Sequence, residues 1–198
     1  MSKALIIFIK NPEPGKVKTR LAASVGNDRA LEIYQLLLAH TRSVATGVDA
    51  HRLLYYSSFI DTQDDWPATS FQKGVQAGGD LGARMSDAFR DAFATHEKVV
   101  IIGSDCRELS ADFVNQAFAE LEKHDFVVGP ALDGGYYLLG MRAFHPEVFE
   151  QVEWSTENTL NQTLKQMIHP KRSVFLLPEL SDVDYIEDWN RAVGREMP

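Results

Sequence analysis

The sequence predicts an α/β fold in which one domain, residues 1–198, forms a three-layer α/β/α sandwich around a mostly parallel, mixed sheet. Three observations lead there. Runs with strand character alternate with amphipathic helical runs, the pattern of repeated βα units. The strongest strand runs, "KALIIFI" and "KVVIIG", are continuously apolar, as strands covered by helices on both faces must be. The chain's 198 residues, 44% apolar and 24% charged, suffice for one sizeable core but are few for two.

Taken in order, "KALIIFI" (3–9) opens the chain as a buried strand, and "NDRALEIYQLLLAHTRSVA" (27–45) repeats apolar residues at helical spacing. "HRLLYYSS" (51–58) is a second strand and "TSFQKGV" (69–75) a weaker third. In "DLGARMSDAFRDAFATH" (80–96) a helix would align Leu81, Met85, Ala88, Phe89, Ala92 and Phe93 on one face. "KVVIIGS" (98–104) is again a strand, and "SADFVNQAFAELEKH" (110–124) a helix with Ser110 as its cap. "DFVVGPA" (125–131) and "YYLLGM" (136–141) read as strands, followed by a helix within "TENTLNQTLKQMI" (156–168). A strand "SVFLL" (173–177) and a helix "DYIEDWNRAVGR" (184–195) complete the pattern, and no linker, repeat or low-complexity segment interrupts it. The first strand should lie centrally beside "KVVIIG".

Charge is distributed unevenly. The chain carries −8 overall, yet "IKNPEPGKVKTRL" (9–21) gathers Lys10, Lys16, Lys18 and Arg20 against Glu13 alone. Removing that +3 leaves −11 for the remainder, so the segment is a local exception that points to a bound anion. The acidic balance argues against nucleic acid, which is met by a broad basic face. Cys106 is the single cysteine, so no intrachain disulfide can form. The N-terminal apolar run is too short for a signal peptide and no run approaches membrane-spanning length, so a cytoplasmic protein is expected.

In open α/β sheets ligands sit beyond the carboxyl ends of the strands. Four connections there are chemically loaded: "KNPEPGKVKTRL", "GSDCREL", "GPALDGGYY" and "LSDVDYIED". One is basic and three are acidic, which suits phosphate set opposite metal-binding carboxylates. In the first, Gly15 between Pro14 and Lys16, with Lys18 and Arg20 at alternate positions, lets backbone amides and cations face one anion; a solvated basic surface is the alternative. The segment lacks Walker spacing. Asp105 can hold a divalent cation or cap the following helix, and Ser110 is the better cap. Asp184 stands three residues before Glu187, so it can open a capping box or bind metal. Asp133 before Gly134-Gly135 is a functional carboxylate or part of a β-turn. Cys106 reads as a packed thiol rather than a nucleophile, and Trp154 and Trp189 as core or lid residues.

Together, "KNPEPGKVKTRL", "GGDLGARM", "GSDC", "GPALDGGYYLLG", "WSTENTL" and "DVD" resemble the bacterial DUF2064 family, grouped with the nucleotide-diphospho-sugar transferases of GT-A type, and the motifs run from the first strand to the last helix. A more distant resemblance is to 2-phospho-lactate guanylyltransferase and the molybdenum cofactor nucleotidyltransferases. The resemblance implies a Rossmann-like GT-A fold and a transferase with a nucleotide-activated donor, Mg2+ or Mn2+, and a small-molecule acceptor, in a monomer or homodimer. It assigns nucleotide and phosphates to Lys10, Gly15, Lys16, Lys18, Arg20, Gly79, Arg84 and Ser104, and metal to Asp105 and Asp184. The acceptor falls to Asp133, Gly134, Gly135, Tyr136, Trp154, Ser155 and Thr156, with Lys18, Arg20 and Asp133 as the catalytic groups. Three readings stay open: glycosyl transfer from a nucleotide-diphospho-sugar, nucleotidyl transfer with pyrophosphate release, and nucleotide binding without turnover. The chain departs from the family pattern at Arg107, where proline usually follows "GSDC", and at Tyr185-Ile186, where Thr-Pro follows "DVD". Losing two prolines should loosen both acidic connections.

Overall fold

The structure is a computed structural model in which residues 2–194 are described. Seven strands form one sheet: β1 (Lys3–Ile9), β2 (His51–Tyr56), β3 (Gln72–Val75), β4 (Lys98–Ile102), β5 (Phe126–Pro130), β6 (Tyr136–Met141) and β7 (Val174–Leu176). Their order is β3-β2-β1-β4-β6-β5-β7. Only the β6 pairings with β4 and β5 are antiparallel. As expected, β1 is central, hydrogen-bonded to β2 and β4.

The continuous apolar runs are explained by two cores. Side chains alternate across a strand, so β1 sends Leu5, Ile7 and Ile9 into one core and Ala4 and Ile6 into the other. The first core is closed by α1 (Thr19–Val25), α2 (Asn27–Thr46), α4 (Ala111–Glu120) and α6 (Ile186–Gly194), through Leu21, Ile33, Leu37, Val114 and the partly buried Trp189. The second is closed by α3 (Leu81–Phe93), α5 (Thr159–Met167) and a 3-10 turn at Pro146–Phe149, through Met85, Phe89, Phe149 and Met167. This is the three-layer sandwich. Burying one leucine or isoleucine contributes roughly 1.5–3 kcal/mol, and a strand with side chains in both cores contributes on each face.

Two details depart from expectation. The segment after β1 turns helical at Thr19, and Gly26 at φ 84° separates α1 from α2. Leu21 enters the core and draws that short helix onto the sheet. The expected last helix begins at Ile186, and its final residue, Arg195, lies outside the described residues. Ser110 caps α4 through Phe113 N–H at 3.4 Å, as expected, and Asp80 caps α3 through Ala83 N–H at 2.8 Å. Among the described residues no helix is long and apolar enough to cross a membrane.

Candidate active site

The carboxyl ends of β1 and β4, with the connections that follow β5 and β7, border a cleft of about 790 Å³. One wall is basic. Val17 is buried and anchors the connection after β1, while Lys18 adopts left-handed backbone (φ 48°, ψ 47°) just before α1. That conformation is uncommon for a residue with a Cβ. Here it turns the Lys18 side chain inward until only 5% of it is exposed, with Nζ 2.7 Å from Asp105 Oδ1 and 3.4 Å from Asp184 Oδ1. Burial disfavours the ammonium, but Asp105, helped by Asp184 and Asp182, outweighs this and raises the Lys18 pKa above the ordinary lysine value. Arg20, the second residue of α1, donates from Nη1 to Asp184 Oδ2 at 2.9 Å. Lys16 is exposed and pairs with Glu13 at 3.0 Å.

Tyr34 of α2 fastens this wall to the acidic one. Its hydroxyl accepts from Lys10 N–H at 2.8 Å and lies 3.1 Å from Lys10 O and 3.2 Å from Ser104 Oγ. The ends of β1 and β4 are thereby tied at the cleft floor. Ser104, expected to meet nucleotide, is buried and engaged in this strut.

Asp105 follows β4, and its carbonyl accepts from Val183 N–H at 2.9 Å. A bridge between Cys106 and Asp182 runs alongside. These contacts bring "DVD" beside "GSDC" and place Asp182 in the cleft, a residue that sequence reasoning passed over for Asp184. Burial, with the negative charges of Asp105 and Asp133, pushes the Asp182 carboxyl up to about 7, against a smaller opposing pull from Lys18. Asp184 instead binds Lys18 and Arg20. It does not cap α6 either: Asp188 Oδ2 accepts from Asp184 N–H at 3.1 Å and Tyr185 N–H at 2.8 Å, so a carboxylate one position after the expected Glu187 reaches back to the helix start, and the expected Asp184/Glu187 box does not form. Asp105 and Asp182 offer hard oxygen ligands, and the Lys18 ammonium on Asp105 shows that a cation fits there. Among the described residues no group of three or more His, Cys, Asp or Glu is arranged to hold a metal ion alone. A divalent ion bound here would complete its shell with phosphate oxygens and water, the usual mode for Mg2+.

The opposite wall is built by α3, the β5–β6 hairpin and residues 154–159. Phe8, Leu81, Met85, Tyr136 and Trp154 give it an apolar surface, and Asp133, Ser155 and Thr156 give it polar edges. A Cβ on Gly82 would collide with the Trp154 indole, so Gly82 is what lets that ring lie on α3. Gly134 (φ 87°) lies against the Glu157 backbone and accepts from Leu160 N–H at 2.9 Å, docking the hairpin on the start of α5. Asp133 forms the turn that was one of its two sequence readings, Oδ1 accepting from Gly135 N–H at 2.8 Å, and the residue lines the cleft. Ser155 is left-handed at φ 63°.

Of the residues expected from sequence, Lys10, Lys16, Lys18, Arg20, Arg84, Ser104, Asp105, Asp133, Gly135, Tyr136, Trp154, Ser155, Thr156 and Asp184 all line this cleft. Gly15, Gly79 and Gly134 are not in its lining; each has positive φ and bends the chain close to residues that are. Arg84 Nε donates to Gly79 O at 3.0 Å. Cys106 is buried and burial pushes its thiol up to about 12, so it is a packed residue as expected. Trp189 packs against the first core. Arg107 donates to His40 Nδ1 at 2.7 Å, and His40 Nε2 lies 2.8 Å from Leu109 O, so Arg107 fastens the connection after β4 to α2. Tyr34, Gly82 and Asp182 were missed. The sequence signals for them were a tyrosine at a core position of a helix, whose hydroxyl needs a partner, a glycine in a first helical turn, and an Asp-x-Asp repeat.

The comparisons with known proteins agree with this architecture. A structure from Desulfovibrio desulfuricans G20, a candidate nucleotide-diphospho-sugar transferase, is 34% identical over 96% of this chain and 86% of that one, with a TM-score of 0.88. Rv0371c from Mycobacterium tuberculosis H37Rv in complex with manganese matches 98% of this chain and 99% of that one at a TM-score of 0.61 and 12% identity. The 4-diphosphocytidyl-2C-methyl-D-erythritol synthase of Anaerococcus prevotii DSM 20548 matches 98% of this chain and 95% of that one at 0.61 and 11%. The last two share the fold. None of the curated proteins matches this chain. The model of the family described as "Uncharacterized protein conserved in bacteria (DUF2064)" matches residues 40–156. The chain therefore belongs to the DUF2064 family.

Proposed function

We propose that the protein is a metal-dependent transferase acting on a nucleotide-activated donor, and that it transfers the glycosyl unit of a nucleotide-diphospho-sugar. One observation carries the reading: Lys18 and Arg20 meet Asp105, Asp182 and Asp184 in one cleft at the end of the central strands. Cations beside a carboxylate pair are what a diphosphate bridged to a divalent ion requires. The 34%-identical relative, a candidate nucleotide-diphospho-sugar transferase, supports the sugar donor.

Asp105 and Asp182 would hold the ion, because both oxygens of Asp184 face cations, Lys18 and Arg20, whereas Asp105 meets Lys18 through Oδ1 alone. When bound, Mg2+ or Mn2+ supplies positive charge against the leaving nucleoside diphosphate. Lys18 and Arg20 hold the diphosphate oxygens, with Lys16 and Arg84 at the margin, so charge that builds during bond breaking meets preset cations. The acceptor lies on the wall of Tyr136 and Trp154, and Asp133 takes the proton of its attacking hydroxyl.

Nucleotidyl transfer is the second reading. The five cations lining the cleft, Lys10, Lys16, Lys18, Arg20 and Arg84, favour it because they would also suit a triphosphate whose pyrophosphate departs. A thermal-shift screen of nucleoside diphosphates, triphosphates and diphospho-sugars, with and without Mn2+, identifies the donor. Product analysis then decides. Release of nucleoside diphosphate supports glycosyl transfer, pyrophosphate supports nucleotidyl transfer, and binding without either product leaves a nucleotide-binding module.

A further inference from the structure

We propose that Lys18 makes divalent-metal binding conditional on the donor: its ammonium holds the cation position at Asp105 until donor phosphate draws it away. The proposal rests on the metal and phosphate reading above and adds an order of events to it. The geometry is specific. Lys18 Nζ sits 2.7 Å from Asp105 Oδ1 and 3.4 Å from Asp184 Oδ1, while the side chain is 5% exposed. A divalent ion binds a carboxylate oxygen at about 2.0–2.6 Å, so ion and ammonium would crowd one oxygen with like charges in a recessed place. One must leave for the other to enter.

Arg20 is differently placed. It touches Asp184 and is 60% exposed, so it can turn toward phosphate without uncovering Asp105. Lys18 starts from left-handed backbone at the edge of α1, and its four-carbon side chain can swing along the cleft wall while that backbone stays fixed. An arriving diphosphate offers Lys18 several charged oxygens in place of the Asp105 and Asp184 oxygens it now touches, and the freed oxygen of Asp105 then becomes available to the ion. Metal and donor are thereby coupled through one side chain, and the coupling is reciprocal.

The test uses the full chain and Mn2+ alone, with free Mn2+ followed by electron paramagnetic resonance. Lys18→Met keeps the length and removes the charge. Its affinity for Mn2+ without nucleotide should exceed the parent's by at least about tenfold, and Asp105→Asn placed on top of it should abolish the gain. In thermal unfolding Mn2+ alone should raise the Tm of Lys18→Met but hardly that of the parent. Should Lys18→Met fail to fold, Lys18→Gln serves the same comparison. A second arm adds ADP, GDP, CDP or UDP in turn: one of them should strengthen Mn2+ binding in the parent by more than it does in the variant. Equal Mn2+ affinity of parent and variant without nucleotide overturns the proposal and leaves the metal site standing. Failure of both proteins to bind Mn2+ under every condition, with nucleotide still bound, overturns the metal reading as well.

Discussion

Replacing Asp182 by Asn should stabilise the metal-free protein at alkaline pH and do much less at acidic pH. In the folded chain this carboxyl is raised to about 7 by burial and by Asp105 and Asp133, whereas in the unfolded chain it returns to about 3.9. Between those values the folded state binds the additional proton, so stability falls as pH rises through the window and is lowest above about 7. Each pH unit crossed inside that window costs about 1.36 kcal/mol, and roughly two such units lie between pH 5 and the folded value. The advantage of Asp182→Asn over the parent should therefore grow by roughly 2–3 kcal/mol from pH 5 to pH 8.5. Urea unfolding of both proteins at the two pH values, with EDTA present, reads this difference directly, and carboxylates unaffected by the substitution cancel in it. An advantage that is constant with pH, or larger at pH 5, would show that the Asp182 carboxyl is not raised in the folded chain and would refute this reasoning.

Other perturbations probe the remaining walls. Lys18→Ala and Arg20→Ala should each weaken nucleoside diphosphate binding roughly tenfold to hundredfold by titration calorimetry, with little effect on the unphosphorylated nucleoside; Lys165→Ala in high salt is the control, and matching behaviour would reduce the segment to a solvated basic surface. Gly82→Ala should destabilise by about 1–3 kcal/mol, although Ala is the better helix former, because it displaces the Trp154 indole; near-ultraviolet circular dichroism should show the indole move. Gly134→Ala meets both a φ of 87° and the Glu157 backbone, and a loss of at least about 2 kcal/mol in urea unfolding is expected. Arg107→Met should speed amide exchange across residues 103–109, since it removes the tie to His40.

The layers of the fold were legible because they depend on local pattern. A run such as "ALIIFI" has no polar face to turn outward, so two-sided burial and a central position follow from it directly. The boundary at Gly26 was harder to see. "KTRLAASV" carries charge and small residues with one strong apolar anchor, Leu21, and only contact with the sheet decides that it coils. The basic segment and Asp105 were visible as residue types at strand ends. Asp182 was not, because Asp182 and Asp184 share a side of an extended stretch and nothing local distinguishes them. The distinction comes from residues far away in sequence: the Cys106 bridge and the Val183 N–H on the Asp105 carbonyl set Asp182 into the cleft, while Lys18 and Arg20, more than 160 residues earlier, claim Asp184. Arg107 makes the same point. As a lost proline it implied looseness, yet its guanidinium reaches His40 on α2 and restores the tie by another route.

That long-range pairing also explains why an acidic protein concentrates cations after its first strand. The cleft is lined by five cationic side chains, Lys10, Lys16, Lys18, Arg20 and Arg84, and by five carboxylates, Asp105, Asp133, Glu157, Asp182 and Asp184. The basic segment is thus the counterweight that lets several carboxylates share one recess, where unpaired like charges would otherwise drive each other toward protonation, as Asp182 already shows. A balanced site accepts most readily what is itself balanced. The two negative charges of a diphosphate diester and the two positive charges of one divalent ion cancel, so the pair enters without disturbing that balance, whereas either partner alone leaves an excess. On the reading proposed above, charge balance favours joint entry of metal and donor for the same physical reason that seats Lys18 on Asp105.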